Sequence, residues 1–165
     1  VNDDPPMIRL LGSGPIMKNV ISASEDLNER GITTEIWSIT SYGELRREGL
    51  EFERIKRFDP KHEGVPYVEA CFGDGVPTVA ASDYIAAVPE MIQRWMKGEF
   101  LPLGTDGFGR SDTREELRRF FEVDSDSIVL ASISLLERQG AIPPGSSASF
   151  AEEAGLSYER KDVTL

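Results

Sequence analysis

The sequence predicts a single three-layer α/β domain, a mostly parallel sheet covered by helices on both faces. Short apolar runs alternate with longer segments whose apolar residues recur at helical spacing, and parallel strands joined by helical crossovers produce that alternation. The 165 residues suit one compact domain, and at that size roughly two-thirds of the unfolded surface is buried on folding, so neither metal nor disulfide is required. No repeat and no second apolar centre interrupts the pattern. Residues 1–165 therefore read as one unit, with a core over 7–140 and a peripheral tail over 141–165.

Residues 7–11 form a short apolar run ending in Gly12-Ser13-Gly14-Pro15, a buried strand turning into a helix with proline at its first positions. Ile16, Val20, Ala23 and Leu27 then recur at helical spacing, and Gly31 supplies the stop. Residues 32–40 alternate as a second strand, with Ile32, Thr34, Ile36 and Ser38 on one side and Thr33, Glu35, Trp37 and Ile39 on the other. Ser41 and Glu44 make a capping box for a helix reaching Arg57, with Leu45, Leu50 and Ile55 inward and Asp59-Pro60 closing it. Residues 65–72 fit a short helix, Gly73-Asp74-Gly75 a turn, and residues 78–81 a third strand.

Ser82 and Asp83 offer caps for a helix carrying Ile85, Val88, Ile92 and Trp95, with Pro89 in its first turn or kinking it. Residues 100–103 read as a fourth strand. Asp112 and Glu115 form the next capping box, ahead of a helix with Leu117, Phe120 and Phe121 inward. Asp124 caps a helix whose apolar arc, from Ile128 to Leu136, is wide enough for burial on more than one side. After Gly140 the composition turns to Pro143-Pro144-Gly145 and serines, where Ser149 and Glu152 are expected to cap a last short helix ending at Gly155.

The net charge of -11, from 29 acidic against 18 basic side chains, repels a phosphate backbone over most of the surface, so no nucleic-acid partner is expected. The same acidity serves solubility or association with something basic. Cys71 is the single cysteine, which excludes an internal disulfide and suits a reducing, cytoplasmic setting. Residues 1–6 lack an apolar leader core, and the longest uncharged apolar run, 128–136, is well short of the ~20 residues a membrane span needs. The expectation is a chain neither secreted nor membrane-spanning. Beginning at Val1, it reads as a fragment or processed product.

Four stretches carry residue types with chemical potential. Gly12-Ser13-Gly14, between strand and helix, has the form of a phosphate cradle. The dinucleotide pattern fails, however, because Met17 stands where a third glycine belongs and Thr40 and Ser41 stand where an acidic residue would bind ribose. A tight structural turn is the better reading. Gly73-Asp74-Gly75 matches the start of the magnesium motif of thiamine-diphosphate enzymes, but no Asn follows it in the chain, and one turn carboxylate cannot hold magnesium. His62, the sole histidine, lies in a hydrophilic loop with no nucleophile beside it, so a solvated residue is favoured over a general base. The fourth stretch, Gly104-Thr105-Asp106-Gly107-Phe108-Gly109-Arg110-Ser111-Asp112, has glycines suited to positive φ or close backbone approach.

That stretch, followed by Phe121-Glu122-Val123-Asp124, closely resembles the C-terminal domain of the homodimeric, bacterial-type pyruvate dehydrogenase component. Support comes from Leu10-Leu11-Gly12-Ser13-Gly14, Trp37-Ser38-Ile39-Thr40-Ser41-Tyr42-Gly43-Glu44-Leu45, Val65-Pro66-Tyr67 and Ala81-Ser82-Asp83-Tyr84, in order over residues 7–140. The resemblance implies the transketolase C-terminal fold, a five-stranded, largely parallel sheet. It implies that thiamine diphosphate and magnesium are bound by preceding domains from two subunits, so that this chain holds no catalytic, cofactor-binding or metal-binding residue. The parent reaction decarboxylates pyruvate and passes the two-carbon unit to lipoyl groups.

The partners implied are other domains of the same enzyme, a homodimer mate and the dihydrolipoyl acyltransferase. Residues Gly104 to Asp112 are the expected structural or interface set, with Phe108, Arg110 and Asp112 holding the domain against its neighbours. In the alternative, Phe108 belongs to the core and Arg110 braces Asp106. Other readings are a docking module for the acyltransferase, or the C-terminal domain of a transketolase or another 2-oxoacid dehydrogenase. The Gly-Phe-Gly-Arg-Ser-Asp run disfavours the last two.

Overall fold

The computed structural model describes residues 5–107 and 113–159. Strand β1 (Met7–Gly12) leads through a 3-10 turn at Gly14–Ile16 into helix α1 (Met17–Glu29), and β2 (Thr33–Ser38) follows. Helices α2 (Tyr42–Phe58) and α3 (Tyr67–Phe72) precede β3 (Thr78–Ala81). Then come α4 (Ala87–Glu90), a 3-10 turn at Gln93–Trp95, and β4 (Phe100–Leu103). Helices α5 (Arg114–Phe120), α6 (Ser125–Arg138) and α7 (Ser146–Glu153) complete the order. No described helix is long and apolar enough to cross a membrane.

The strands pair in the order β2-β1-β3-β4, every pair parallel. Among the described residues the sheet has four strands, one fewer than the resemblance implied, and they are the four segments read as strands from the sequence. Strand alternation sorts the side chains into two layers. Ile8, Leu10, Val79 and Ala81 pack with buried residues of α1, α6 and α7, while Leu11 and Ala80 pack with Tyr42, Val68, Phe72 and Trp95. Helices therefore cover both faces. Phe150 of α7 is 3% exposed and belongs to the first layer, so the segment after Gly140 contributes to the core.

Caps explain where several helices begin. Ser41 Oγ accepts from Glu44 N at 3.2 Å, and Asp124 Oδ1 from Ser127 N at 3.0 Å, as the sequence led us to expect. Helix α5 departs from expectation by one residue: Thr113, not Asp112, is its N-cap, with Oγ1 accepting from Glu116 N at 3.3 Å. Helix α7 begins after Gly145, which leaves Ser149 in its interior rather than at its start. The cap comes from α6 instead, where Glu137 accepts from Gly145 N and Ser147 N.

The helix expected from Ser82 is broken into two short pieces. Ser82 Oγ accepts from Tyr84 N at 3.1 Å, which tightens a turn instead of starting a helix, and Ile85 is left exposed. Pro89 lies in the first turn of α4, where its missing N–H costs nothing. Along α2 the inward stripe also differs. Tyr42 and Gly49 are buried, whereas Ile55 is exposed. A Cβ on Gly49 would lie 2.5 Å from Cζ2 of Trp95, so the bare backbone there is the slot that receives the indole.

Candidate functional site at the carboxyl ends of the strands

In an open parallel sheet, a crevice forms where neighbouring strands send their connections in opposite directions. Here the reversal falls between the central strands β1 and β3. The turn after β1 and the turn after β3 meet there, and Ser13 Oγ donates to the buried Ser82 Oγ at 3.2 Å. The crevice is thus closed at its base by its own hydroxyl pair.

The loop after β4 is stitched to the same place. Thr105 N donates to Tyr84 O at 2.9 Å, Thr105 Oγ1 to Asp83 O at 2.8 Å, and Ala86 N to Asp106 Oδ1 at 3.0 Å. Gly104 is required by this approach, because a Cβ on it would fall 2.3 Å from Ala86 N. Gly107 has φ 129°, a conformation that disfavours a side chain. Beside the loop, Leu103, Asp106, Phe121 and Glu122 help line a cleft of about 180 Å³. Glu122 takes a left-handed φ of 57° and closes α5.

Of the expected structural or interface set, the structure places Gly104, Thr105, Asp106 and Gly107 together at this end of the sheet. Phe108, Gly109, Arg110, Ser111 and Asp112 lie outside the described residues.

Arg9, which is not among the expected site residues, sits in the middle of the apolar run of β1 and is 1% exposed. Its Nη1 and Nη2 donate to Asp74 Oδ1 and Oδ2 at 3.0 and 2.6 Å, and its Nε donates to Glu35 Oε2 at 2.7 Å. Its guanidinium also lies 5.2 Å from the ring centroid of Phe72. Burial opposes the charge on Arg9, but hydrogen bonds to Asp74 and Glu35 outweigh that and hold it above its ordinary value. The hydrogen bonds from Arg9 in turn hold the Asp74 carboxyl below the usual carboxylate range. Gly73-Asp74-Gly75 is therefore the far half of an arginine clamp. The signal was present: an arginine inside a buried strand requires a carboxylate partner, and Glu35 faces it in the β1–β2 register.

His62 is half-buried against Phe52, with ring centroids 5.2 Å apart, and its backbone N–H donates to Asp59 O at 2.9 Å. The Trp37 indole N–H and the Tyr42 hydroxyl are buried without a hydrogen-bond partner among the described residues, and burial pushes the Tyr42 phenol up.

Residues 1–124 match the family described as the transketolase-like TK C-terminal domain. The chain belongs to that family. This transketolase-like C-terminal domain is 42% identical over 159 residues to the pyruvate dehydrogenase E1 component of Pseudomonas aeruginosa, covering 94% of the chain and 18% of that relative. It is 39% identical to the E1 component of Mycolicibacterium smegmatis, covering 94% of the chain and 17% of the relative. For the E1 component of Escherichia coli K12 the identity is 39%, covering 82% of the chain and 15% of the relative. The domain thus spans less than a fifth of the length of these relatives.

Proposed function

We propose that this chain is the non-catalytic C-terminal structural domain of a pyruvate dehydrogenase E1 component. The observation that carries the reading is the clamp on Asp74. Both of its oxygens are engaged by Arg9, and one of them also accepts from Val76 N. A magnesium bridging a diphosphate requires several free, converging oxygens. Asp74 does not fit that role, so thiamine diphosphate and magnesium are assigned to portions of the E1 relatives outside the span of this chain. Decarboxylation of pyruvate and transfer to lipoyl groups belong there too.

The part assigned to this chain is surface. The Gly104-Thr105-Asp106-Gly107 segment is anchored by hydrogen bonds at the carboxyl ends of β3 and β4. The contact with neighbouring domains, a homodimer mate and the dihydrolipoyl acyltransferase is assigned to Phe108, Gly109, Arg110, Ser111 and Asp112, which follow it in the sequence. A dimer contact that repeats one patch on both subunits suits such a loop. The setting proposed is the cytoplasm.

Pyruvate, thiamine diphosphate and magnesium added to the chain are expected to release no carbon dioxide above a blank; steady release overturns the reading. In the whole enzyme, Arg110→Ala is expected to weaken dimerisation or turnover. Unchanged sedimentation together with unchanged turnover would remove the loop from the interface.

A further inference from the structure

Helix α7 has 8 residues and buries Phe150 alone, whereas α6, on which it packs, buries Ile128, Val129, Ile133, Leu135 and Leu136. A helix that short is not stable in water by itself, so α7 is helical only while it is docked. Its docking rests on groups that other elements supply. Gly145 at its N-cap offers no side chain, and Glu137 of α6 serves instead. Glu137 Oε1 accepts from Gly145 N at 2.5 Å, and Oε2 accepts from Ser147 N and Ser147 Oγ at 2.8 and 2.5 Å. At the other end, Arg30 of α1 donates to the two oxygens of Glu153 at 3.2 and 2.7 Å, and Arg119 of α5 donates to Gly155 O at 3.3 Å.

The segment leading into α7 leaves the space beside it unfilled. A groove of about 660 Å³ is lined both by this segment, with Ala141, Pro143 and Ser146, and by Gly31 and Ile32 ahead of β2. Gly140 and Gly145 bracket the segment with φ of 70° and 89°, left-handed conformations that glycine leaves and regains at little cost. Sparse apolar burial, a void alongside and attachment through exposed hydrogen bonds mark a unit of low local stability.

We propose that residues 141–156 form a strap that opens and refolds as one unit from an otherwise folded domain, with the Glu137 carboxylate as its latch. Water screens the exposed Arg30–Glu153 pair, so Glu137, with three charge-assisted hydrogen bonds, is the stronger hold. Opening bares the ring of Phe150, which is 3% exposed when the strap is closed. The alternative is simple fraying, in which protection declines residue by residue from Glu153 back towards Ser146. The strap rests on no part of the pyruvate dehydrogenase reading.

The test is residue-resolved amide hydrogen exchange of the chain, followed by NMR at neutral pH with low concentrations of denaturant. The reporters in α7 are the N–H groups of Ser149, Ala154 and Leu156, which donate to Gly145 O, Phe150 O and Ala151 O. All three are expected to share one opening equilibrium, at least about a hundredfold more frequent than that of Ile133 and Leu135 in α6. Glu137→Gln, which keeps the shape of the side chain, should raise opening of the three about tenfold and leave the α6 amides unchanged. Glu153→Gln should raise it by less. A single exchange rate for both helices overturns the proposal, as does protection graded along α7. So does a Glu137→Gln variant that leaves α7 unchanged or loosens both helices alike.

Discussion

The two faces of the sheet are packed by different means. Under α1, α6 and α7 the buried side chains are nearly all aliphatic, with Leu10, Val20, Leu27, Ile128 and Leu135 among them. Under α2 and α3 the rings of Tyr42, Phe72 and Trp95 share the space with Leu11, Ile39, Val68 and Ile92, and Trp37 meets Phe72 edge to face at 5.1 Å. Arg9 reaches into this second layer as well. The contrast shows what each helix brings. A wide apolar arc such as that of α6 packs by interdigitation alone. Helix α2 offers a narrow stripe with Gly49 at its centre, so an indole from another element fills the gap, and its outer side is left to ion pairs and a bare Phe58.

If the aliphatic face depends on close packing, Leu135→Ala should be the most damaging change considered. Leu135 is fully buried, and the lost contacts and cavity are expected to cost about 3 kcal/mol, read from urea unfolding. Leu45→Ala, half-buried on the opposite face, should cost no more than about 1 kcal/mol. Equal losses would erase the distinction between the faces.

Asp74→Asn sharpens the charged side of the comparison. It leaves Arg9 buried with one carboxylate in place of two, a loss of about 2 kcal/mol near neutral pH. Because Asp74 titrates below its ordinary value, its contribution is complete above the unfolded carboxylate range. It disappears as pH falls through the folded value. Wild type and variant should therefore converge in stability as the pH is lowered below about 4. A constant gap down to full protonation would show that packing, not the ion pair, is responsible.

Gly49→Ala probes the indole slot. Overpacking against Trp95, about 2 kcal/mol, should exceed the gain of about 1 kcal/mol in helix propensity. The net loss is small but opposite in sign to that at an exposed helical glycine, and a raised melting temperature would mean that Trp95 withdraws freely. The smallest effect concerns α5. Thr113→Ala should cost about 0.5 to 1 kcal/mol through the lost cap, and Asp112→Ala less than half of that. The reverse order would return the cap to Asp112.

The four strands, the Ser41 and Asp124 caps and the two-sided alternation of β2 were legible because each is written within a few residues. A cap bonds three positions away, and alternation has a period of two. Errors arose where such local signals competed. Thr113 and Asp112 are adjacent and both able to cap, and Ser82 has a turn partner in Tyr84 that outbid helix initiation. The glycines at 104 and 107 announced an ordered loop, but not that Gly104 answers to the backbone of Ala86 on another strand connection.

By itself the sequence determined the element order, the α/β class and the membership that residues 1–124 share with the transketolase-like C-terminal domains. Only the tertiary structure decided that Asp74 answers Arg9 across 65 positions, that Trp95 fills the slot over Gly49, and that Glu137 of α6 starts α7. The physical reason is range. Hydrogen bonds within one turn are set by neighbouring residue types, whereas these three contacts exist only after strand order and helix placement bring distant chain segments together.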